Sequence, residues 1–303
     1  MKIQIFSDLE NCERIWKETI PERDIFDSWE FRKCFHNNFE RPPHFIVSEK
    51  NGEINGFLPL SYIEEEKYYG YFPGETWKGK TWLEGNKMIS KEPKVTKEIF
   101  NYLIKNKMDY HLKYLMPSQL MKPKKVDEIG YLFFPKKFNH EIENYFKVFS
   151  HKSRQHLKKE LSKLESKGIE FRFDSLKDFN LLVRWNIQRY GENSYFWDKR
   201  FFNSFKEVLN LLNEKKFLRL TTLIIKGEPA AVDIGCLFKN NYTVFGGGTN
   251  EKFPGVAKFI NIHHMSKACN EKINKVDFLC GDFSWKKLFH LTPRPLYLLS
   301  NKN

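Results

Sequence analysis

The chain has 303 residues, 41% hydrophobic and 16% aromatic, which is enough for a substantial core and too apolar for wholesale disorder. A formal charge of +13 suits anionic partners such as nucleotide phosphates, transfer RNA or an acidic membrane surface, and equally a well-solvated lysine-rich exterior. Five cysteines without a CxxC spacing argue against a disulfide framework or zinc ribbon; no apolar run approaches the ~20 residues of a membrane span, and the N-terminus lacks a signal peptide's apolar core, so a soluble cytoplasmic protein is expected.

In chain order, "KIQIF" reads as a strand and residues 9–38 as two helices. "HFIVSE", "EINGFLPLSYIEE" and "KYYGYF" form a trio of strands. "PGETWKGKTWLEG" (73–85) is a loop, "VTKEIFNYLIKN" a helix and "YHLKYL" a strand. Residues 116–138 read as a crossover between halves.

The second half is clearer. From Phe146, Leu157, Leu161 and Leu164 fall at helical spacing until Gly168 stops the helix. "IEFRF" (169–173) alternates as a strand does. Asp178 is placed to cap a helix with Phe179, Leu182, Val183 and Tyr190 on its apolar face, and Asp198 opens another. Three strands follow, "FLRLTTLIIK", "AAVDIGCLF" and "YTVFGGG", joined by turns short enough for antiparallel hairpins. A loop then leads into a helix from about Val256 to Glu271, whose polar stripe is Lys258, Asn261, His264, Lys267 and Glu271. "KVDFLC" (275–280), "FSWKKLFH" (283–290) and "PLYLLS" (295–300) read as strand, short helix and strand. The two halves share an order of elements, and Phe72-Pro73-Gly74 sits where Phe253-Pro254-Gly255 sits, which indicates an internal duplication.

The stretch "FGGGTNEKFPGVAKF" carries the strongest functional signal. A strand ending in Phe245, Gly246, Gly247 and Gly248, then Pro254, Gly255, Val256, Ala257 and Lys258 at a helix start, is suited to an anion. The first helical turn has unpartnered amides and the positive end of the helix dipole, and glycines let phosphates approach the main chain. Lys258 would add a mobile charge. A glycine-rich turn with Pro-Gly punctuation is the plainer reading, and neither the Rossmann fingerprint nor the P-loop consensus is met.

That order resembles GNAT-type N-acyltransferases, and residues 146–290 resemble FemAB-like and CelD/BioF2-like acetyltransferase domains. "SHKSRQHLKKELSKLESKG", "GEPAAVDIGCLF", "YTVFGGGTNEKFPGVAKF" and "DFLCGDFSWKK" carry the likeness. The resemblance implies an α+β fold of two tandem GNAT-like domains, each a mixed, mostly antiparallel sheet flanked by helices. Residues 1–140 would be a degenerate domain and 141–303 the one that binds an acyl-CoA. It implies an N-acyltransferase moving an acyl group, acetyl first among candidates, from coenzyme A to the amine of a small molecule, amino sugar or peptide held between the halves. The FemAB-like branch implies another donor, an aminoacyl transfer RNA. One departure stands out. The family has tyrosine before lysine where this chain has Trp285-Lys286, and indole cannot protonate a thiolate as phenol can, so a non-catalytic binding protein on this fold is a third reading.

Among candidate side chains, Asp282 is placed for acceptor binding or base work, or for capping the short helix. Asp233 interrupts an apolar strand and must find a partner, raise its pKa or face solvent. Lys286 is placed to contact an acidic group of the acceptor, or to pair with Lys287 as a solvated face. Lys152, Ser153 and Arg154 suit phosphate or an anionic acceptor, or Ser153 caps the helix. Trp82 and Glu84, in the tryptophan-rich loop, would line the acceptor cleft or pin the loop to a core. No histidine or cysteine falls at metal spacing, so no metal is expected.

Overall fold

A computed structural model describes residues 2–117, 125–281 and 284–302. It divides into two compact units, Met1–Ile129 with Asn203–Val208 and Arg294–Asn303, and Gly130–Phe202 with Leu209–Pro293.

The first unit opens with β1 (Lys2–Phe6), α1 (Leu9–Thr19) and α2 (Trp29–Phe39). Asp8 starts α1 by accepting the Asn11 amide at 2.9 Å, and Ser28 starts α2 through Phe31. β2 (Pro43–Lys50), β3 (Glu53–Ile63) and β4 (Tyr68–Tyr71) follow, then β5 (Ile89–Ser90), α3 (Pro93–Lys105) and β6 (His111–Leu115). β1 to β4 run antiparallel in sequence order, with β5 on β3. Tyr69 bridges Tyr110 in parallel sense, so β4, the loop, α3 and the approach to β6 form a crossover. Trp16, Trp29, Phe45, Phe57 and Phe72 pack the core as one aromatic cluster.

Next come β7 (Lys125–Phe133), α4 (Ile142–Phe146), α5 (His151–Glu165), β8 (Ile169–Phe173), α6 (Phe179–Tyr190) and α7 (Lys199–Glu214). After these lie β9 (Leu218–Ile225), β10 (Glu228–Phe238), β11 (Asn241–Thr249), α8 (Val256–Asn270), β12 (Lys275–Asp277), α9 (Ser284–Leu288) and β13 (Thr292–Ser300). In the second unit β8, β9, β10 and β11 run antiparallel as neighbours. β12 joins β11 in parallel, and β7 joins β12 antiparallel through Phe133 and Leu132. In the first unit β13 pairs with β6. The fold is α+β, with mixed, mostly antiparallel sheets, and each half repeats strand, two helices, three antiparallel strands, loop, helix and parallel strand.

Four local expectations need correction. Of the 116–138 crossover, residues 118–124 lie outside the described residues, but Lys125–Phe133 is a strand, because its continuously buried end pairs with β12. The helix expected from Phe146 starts only at His151, where Ser150 caps α5 through the Ser153 amide, and Phe146 instead ends α4. Asp178 precedes α6 but does not cap it: its carboxylate takes Arg172 at 2.7 and 2.9 Å and the Thr222 hydroxyl at 2.7 Å. "KVDFLC" is strand only to Asp277, because Leu279 turns left-handed (φ 57°) while its amide bonds Asp277 Oδ1.

Candidate active site

The β11–α8–β12 crossover sets the geometry. β11 and β12 pair only at Asn241–Lys275, Tyr242–Val276 and Thr243–Asp277. Beyond that Phe278 and Leu279 exchange hydrogen bonds with Tyr131 of β7, while β11 runs on to Thr249. The two parallel strands therefore part, and a length of β11 that includes the glycine run lies past the last β12 partner.

The three glycines have different neighbours. A Cβ on Gly248 would lie 2.6 Å from the Leu182 carbonyl oxygen, so this glycine admits the backbone of α6. A Cβ on Gly247 would lie 1.8 Å from Asp233 Oδ1, so this one admits a carboxylate. A Cβ on Gly246 would meet nothing within 4 Å. Asn186, on α6, donates to the Gly247 carbonyl at 3.2 Å and accepts from the Ser194 hydroxyl at 2.7 Å, which fixes this part of β11. Phe245 is buried beside the run.

Gly255 starts α8 in left-handed backbone (φ 91°), with no side chain capping the helix. Pro254, Gly255 and Ala257 are exposed, whereas Val256 is buried. The Lys258 ammonium is held by Glu160 of α5, and this hydrogen bond keeps the Glu160 carboxyl below its ordinary value. Releasing Lys258 should strengthen the positive end of α8. Glu160→Gln is therefore expected to tighten binding of an anionic ligand there about 2- to 5-fold, the scale of a half-exposed ion pair, as read by calorimetry.

Asp233 is buried at 6% exposure. Its Oδ2 lies 3.0 Å from His264 Nε2, and His264 Nδ1 lies 3.2 Å from the Tyr242 hydroxyl. His264 was expected on the polar stripe of its helix. It is 1% exposed, because α8 is covered along that line by β10 and β11 and the imidazole serves Asp233 instead of water. Its neighbour His263 stacks on Phe171 at 3.8 Å, and burial pushes it down to about 3.

Lys286, in α9, is buried, and its ammonium donates to the carbonyls of Phe278 (2.8 Å), Leu279 (3.0 Å) and Cys280 (2.6 Å). It ties down the chain that leaves β12. Trp285 packs edge-on against Phe278 and Phe289. Asp282 lies outside the described residues. Arg154 is half-buried in the first turn of α5, where Ser150 supplies the cap, and Lys152 and Ser153 are exposed.

In the first unit, Trp82 is stacked on Phe35 at 5.6 Å and edge-on to Phe205 at 4.8 Å. Glu84 is buried and ion-paired with Arg294 at 2.9 Å. Glu75 accepts the Trp82 and Leu83 amides at 3.2 and 2.8 Å, and burial pushes its carboxyl up. These contacts pin the tryptophan-rich loop to a core. Asn186, Tyr242, His264 and Glu160 escape a reading of the sequence. The signal for a partner was present in Asp233 alone, a carboxylate among apolar neighbours. Among the described residues no group of three His, Cys, Asp or Glu side chains is placed to hold a metal, and no helix is long and apolar enough to cross a membrane.

The family model for the GNAT acetyltransferase domain matches residues 151–287. No curated protein matches the chain in sequence. Among solved structures, FemX aligns with TM-score 0.60 at 10% identity, covering 99% of this chain and 98% of that one. L-PGS from Bacillus licheniformis aligns with TM-score 0.61 at 13% identity, covering 100% and 95%. A tandem GNAT protein from the clavulanic acid biosynthesis pathway aligns with TM-score 0.51 at 7% identity, covering 98% and 96%. Residues 151–287 are thus a domain of the GNAT superfamily, carried on a FemAB-like tandem fold, and the chain is an acyltransferase.

Proposed function

We propose that the chain is an N-acyltransferase that moves an acyl group, acetyl in the simplest case, from coenzyme A to the primary amine of a small molecule, amino sugar or peptide. The observation that carries this reading is the parting of β11 from β12 beside an open Gly246, directly before the uncapped start of α8. The GNAT fold generally binds an acyl-CoA, and three features of the second unit support this donor. The diphosphate would lie on the amides at residues 254–258, where the helix dipole favours negative charge. The pantetheine arm would run along the part of β11 that β12 has left. Main-chain amides between Phe245 and Gly248 would polarise the thioester carbonyl as the amine attacks.

The test is calorimetry of the full chain with coenzyme A and acetyl-CoA, followed by thiol release against a panel of amines. One donor per chain is expected. Ala257→Glu is expected to leave the fold intact, since an acidic side chain suits a first helical turn, yet to weaken the donor at least about 10-fold by facing its diphosphate. A folded chain that binds neither coenzyme A nor acetyl-CoA overturns the reading.

A second donor is supported by the match to FemX over 99% of this chain and by the exposed lysines of α5, Lys152, Lys159 and Lys163. The FemAB-like resemblance implies an aminoacyl transfer RNA. A gel shift with charged transfer RNA that falls steeply with salt, in a chain indifferent to coenzyme A, would select it.

A further inference from the structure

We infer that Asp233 is the proton-transferring group of this site and that His264 and Tyr242 are its positioning residues, an inference that rests on the acyl-CoA reading. Asp233 pairs with Gly247 across the β10–β11 ladder, whereas β12 accompanies β11 only as far as Thr243. The carboxylate therefore reaches over β11 at a point where the strand has lost its other neighbour. It does so because position 247 has no side chain: Oδ1 occupies the space 1.8 Å from where a Cβ would stand. Oδ2 is engaged by His264 Nε2 at 3.0 Å. A carboxylate accepts, so Nε2 is the donating nitrogen and Nδ1 is left to accept from the Tyr242 hydroxyl at 3.2 Å.

A second glycine serves the same array. A Cβ on Gly235 would lie 2.8 Å from the Tyr242 ring, so β10 leaves the room that the tyrosine fills. Tyr242 and His264 are 5% and 1% exposed. Two glycines, a tyrosine and a histidine thus fix one carboxylate, with one oxygen bound and the other turned to the bare main chain.

The chemistry balances without an outside reactant. The amine nitrogen attacks the thioester carbon and the C–N bond forms. The N–H proton passes to Asp233 Oδ1, the C–S bond breaks, and the same proton is returned to the thiolate sulfur. Amine and acyl thioester become amide and free thiol, and Asp233 ends as it began. This route also removes the demand on the position held by Trp285, whose indole cannot supply a proton to sulfur.

Four variants of the full chain test the inference, with thiol release giving kcat and calorimetry giving the donor Kd. Asp233→Asn is expected to lower kcat at least about 100-fold, the scale of a lost general acid–base group, with Kd changed less than about 2-fold. His264→Gln keeps an amide donor near the place of Nε2 and should stay within about 10-fold of wild type. His264→Leu removes the donor and should fall close to Asp233→Asn. Tyr242→Phe, which loses a single oxygen, should lower kcat about 5- to 10-fold. A packing role predicts the opposite order at 264, because leucine suits an apolar surround better than glutamine does. Leucine equal to or better than glutamine, or Asp233→Asn and Tyr242→Phe at the wild-type rate, overturns the inference and leaves the acyl-CoA reading standing. A wild type that neither binds nor turns over an acyl-CoA overturns both.

Discussion

Gly246→Ala and Gly248→Ala, two positions apart on one strand, are expected to fail in opposite ways. At 248 the new methyl would stand 2.6 Å from the Leu182 oxygen, 3.0 Å from its Cα and 3.2 Å from its carbonyl carbon. All three are backbone atoms of α6, so no rotamer relieves the contact and the helix must move off the sheet. Overpacking of a tight core costs about 1–3 kcal/mol, and a clash against fixed backbone belongs at or above the top of that range. The displaced helix also carries Asn186, which holds the Gly247 carbonyl, so donor binding should weaken along with stability.

At 246 the methyl meets nothing within 4 Å, and the backbone there is not left-handed. Removing a glycine from a strand restricts the unfolded chain, and stability should rise by about 0.4–1 kcal/mol. The same methyl stands on the length of β11 where the pantetheine arm is proposed to lie, so donor affinity should drop about 10-fold or more. Denaturant unfolding and calorimetry on the two variants separate these effects. Equal donor affinity for Gly246→Ala and wild type would move the donor elsewhere on the molecule.

The glycine run shows how far the sequence could be read. Hydrophobic periodicity was enough to order the longer helices and strands of both halves, because those elements are amphipathic or alternating; β7, inside the expected crossover, and the short α4 escaped it. It was also enough to say that something comes close to the main chain at 246–248. It could not say what. Two of the three approaches are made by the protein itself, by α6 at Gly248, which is distant in sequence, and by Asp233 at Gly247, which only the hairpin register reveals. His264 illustrates the same limit. A helical projection groups it with Lys258 and Lys267, and only the sheet laid against α8 turns that stripe inward at one position. Lys286 illustrates another. A lysine beside a second lysine reads as a wet pair, yet the left-handed turn at Leu279 gathers three carbonyls that need a donor, and Lys286 is it.

Arg32→Met is expected to produce the largest loss of stability among single changes in the first unit, about 3–5 kcal/mol, the scale for leaving several buried acceptors without a donor at about 1–3 kcal/mol each. Arg32 is 1% exposed in the middle of α2. Its Nε donates to the Phe26 carbonyl at 2.7 Å, and its terminal nitrogens donate to the Phe72 carbonyl at 2.7 Å and to Asn86 Oδ1 at 2.9 Å. Its guanidinium lies over the rings of Trp16 and Tyr71, at 5.2 and 5.0 Å. Burial alone pushes its pKa down, but the four-sided surround of acceptors and ring faces offsets that cost. Methionine fills part of the volume and leaves those acceptors buried without a donor. Lysine should not rescue the loss, because one ammonium cannot span three directions fixed by a planar fork.

The same residue helps to close, in the first unit, the counterpart of the parting between β11 and β12. Asn86 bridges Leu115 in parallel sense, and its side-chain amide donates to the Leu83 and Lys113 carbonyls. Where the second unit leaves a parting between parallel strands open, the first unit closes the counterpart with its own loop, and Arg32 locks that loop through Asn86. If the donor binds only in the second unit, wild type should take up one coenzyme A per chain. Arg32→Met, measured below its lowered melting point, should keep that single site at unchanged affinity. Two sites in the wild type would add a donor site in the first unit, and loss of the one site in a folded Arg32→Met chain would place the donor there instead.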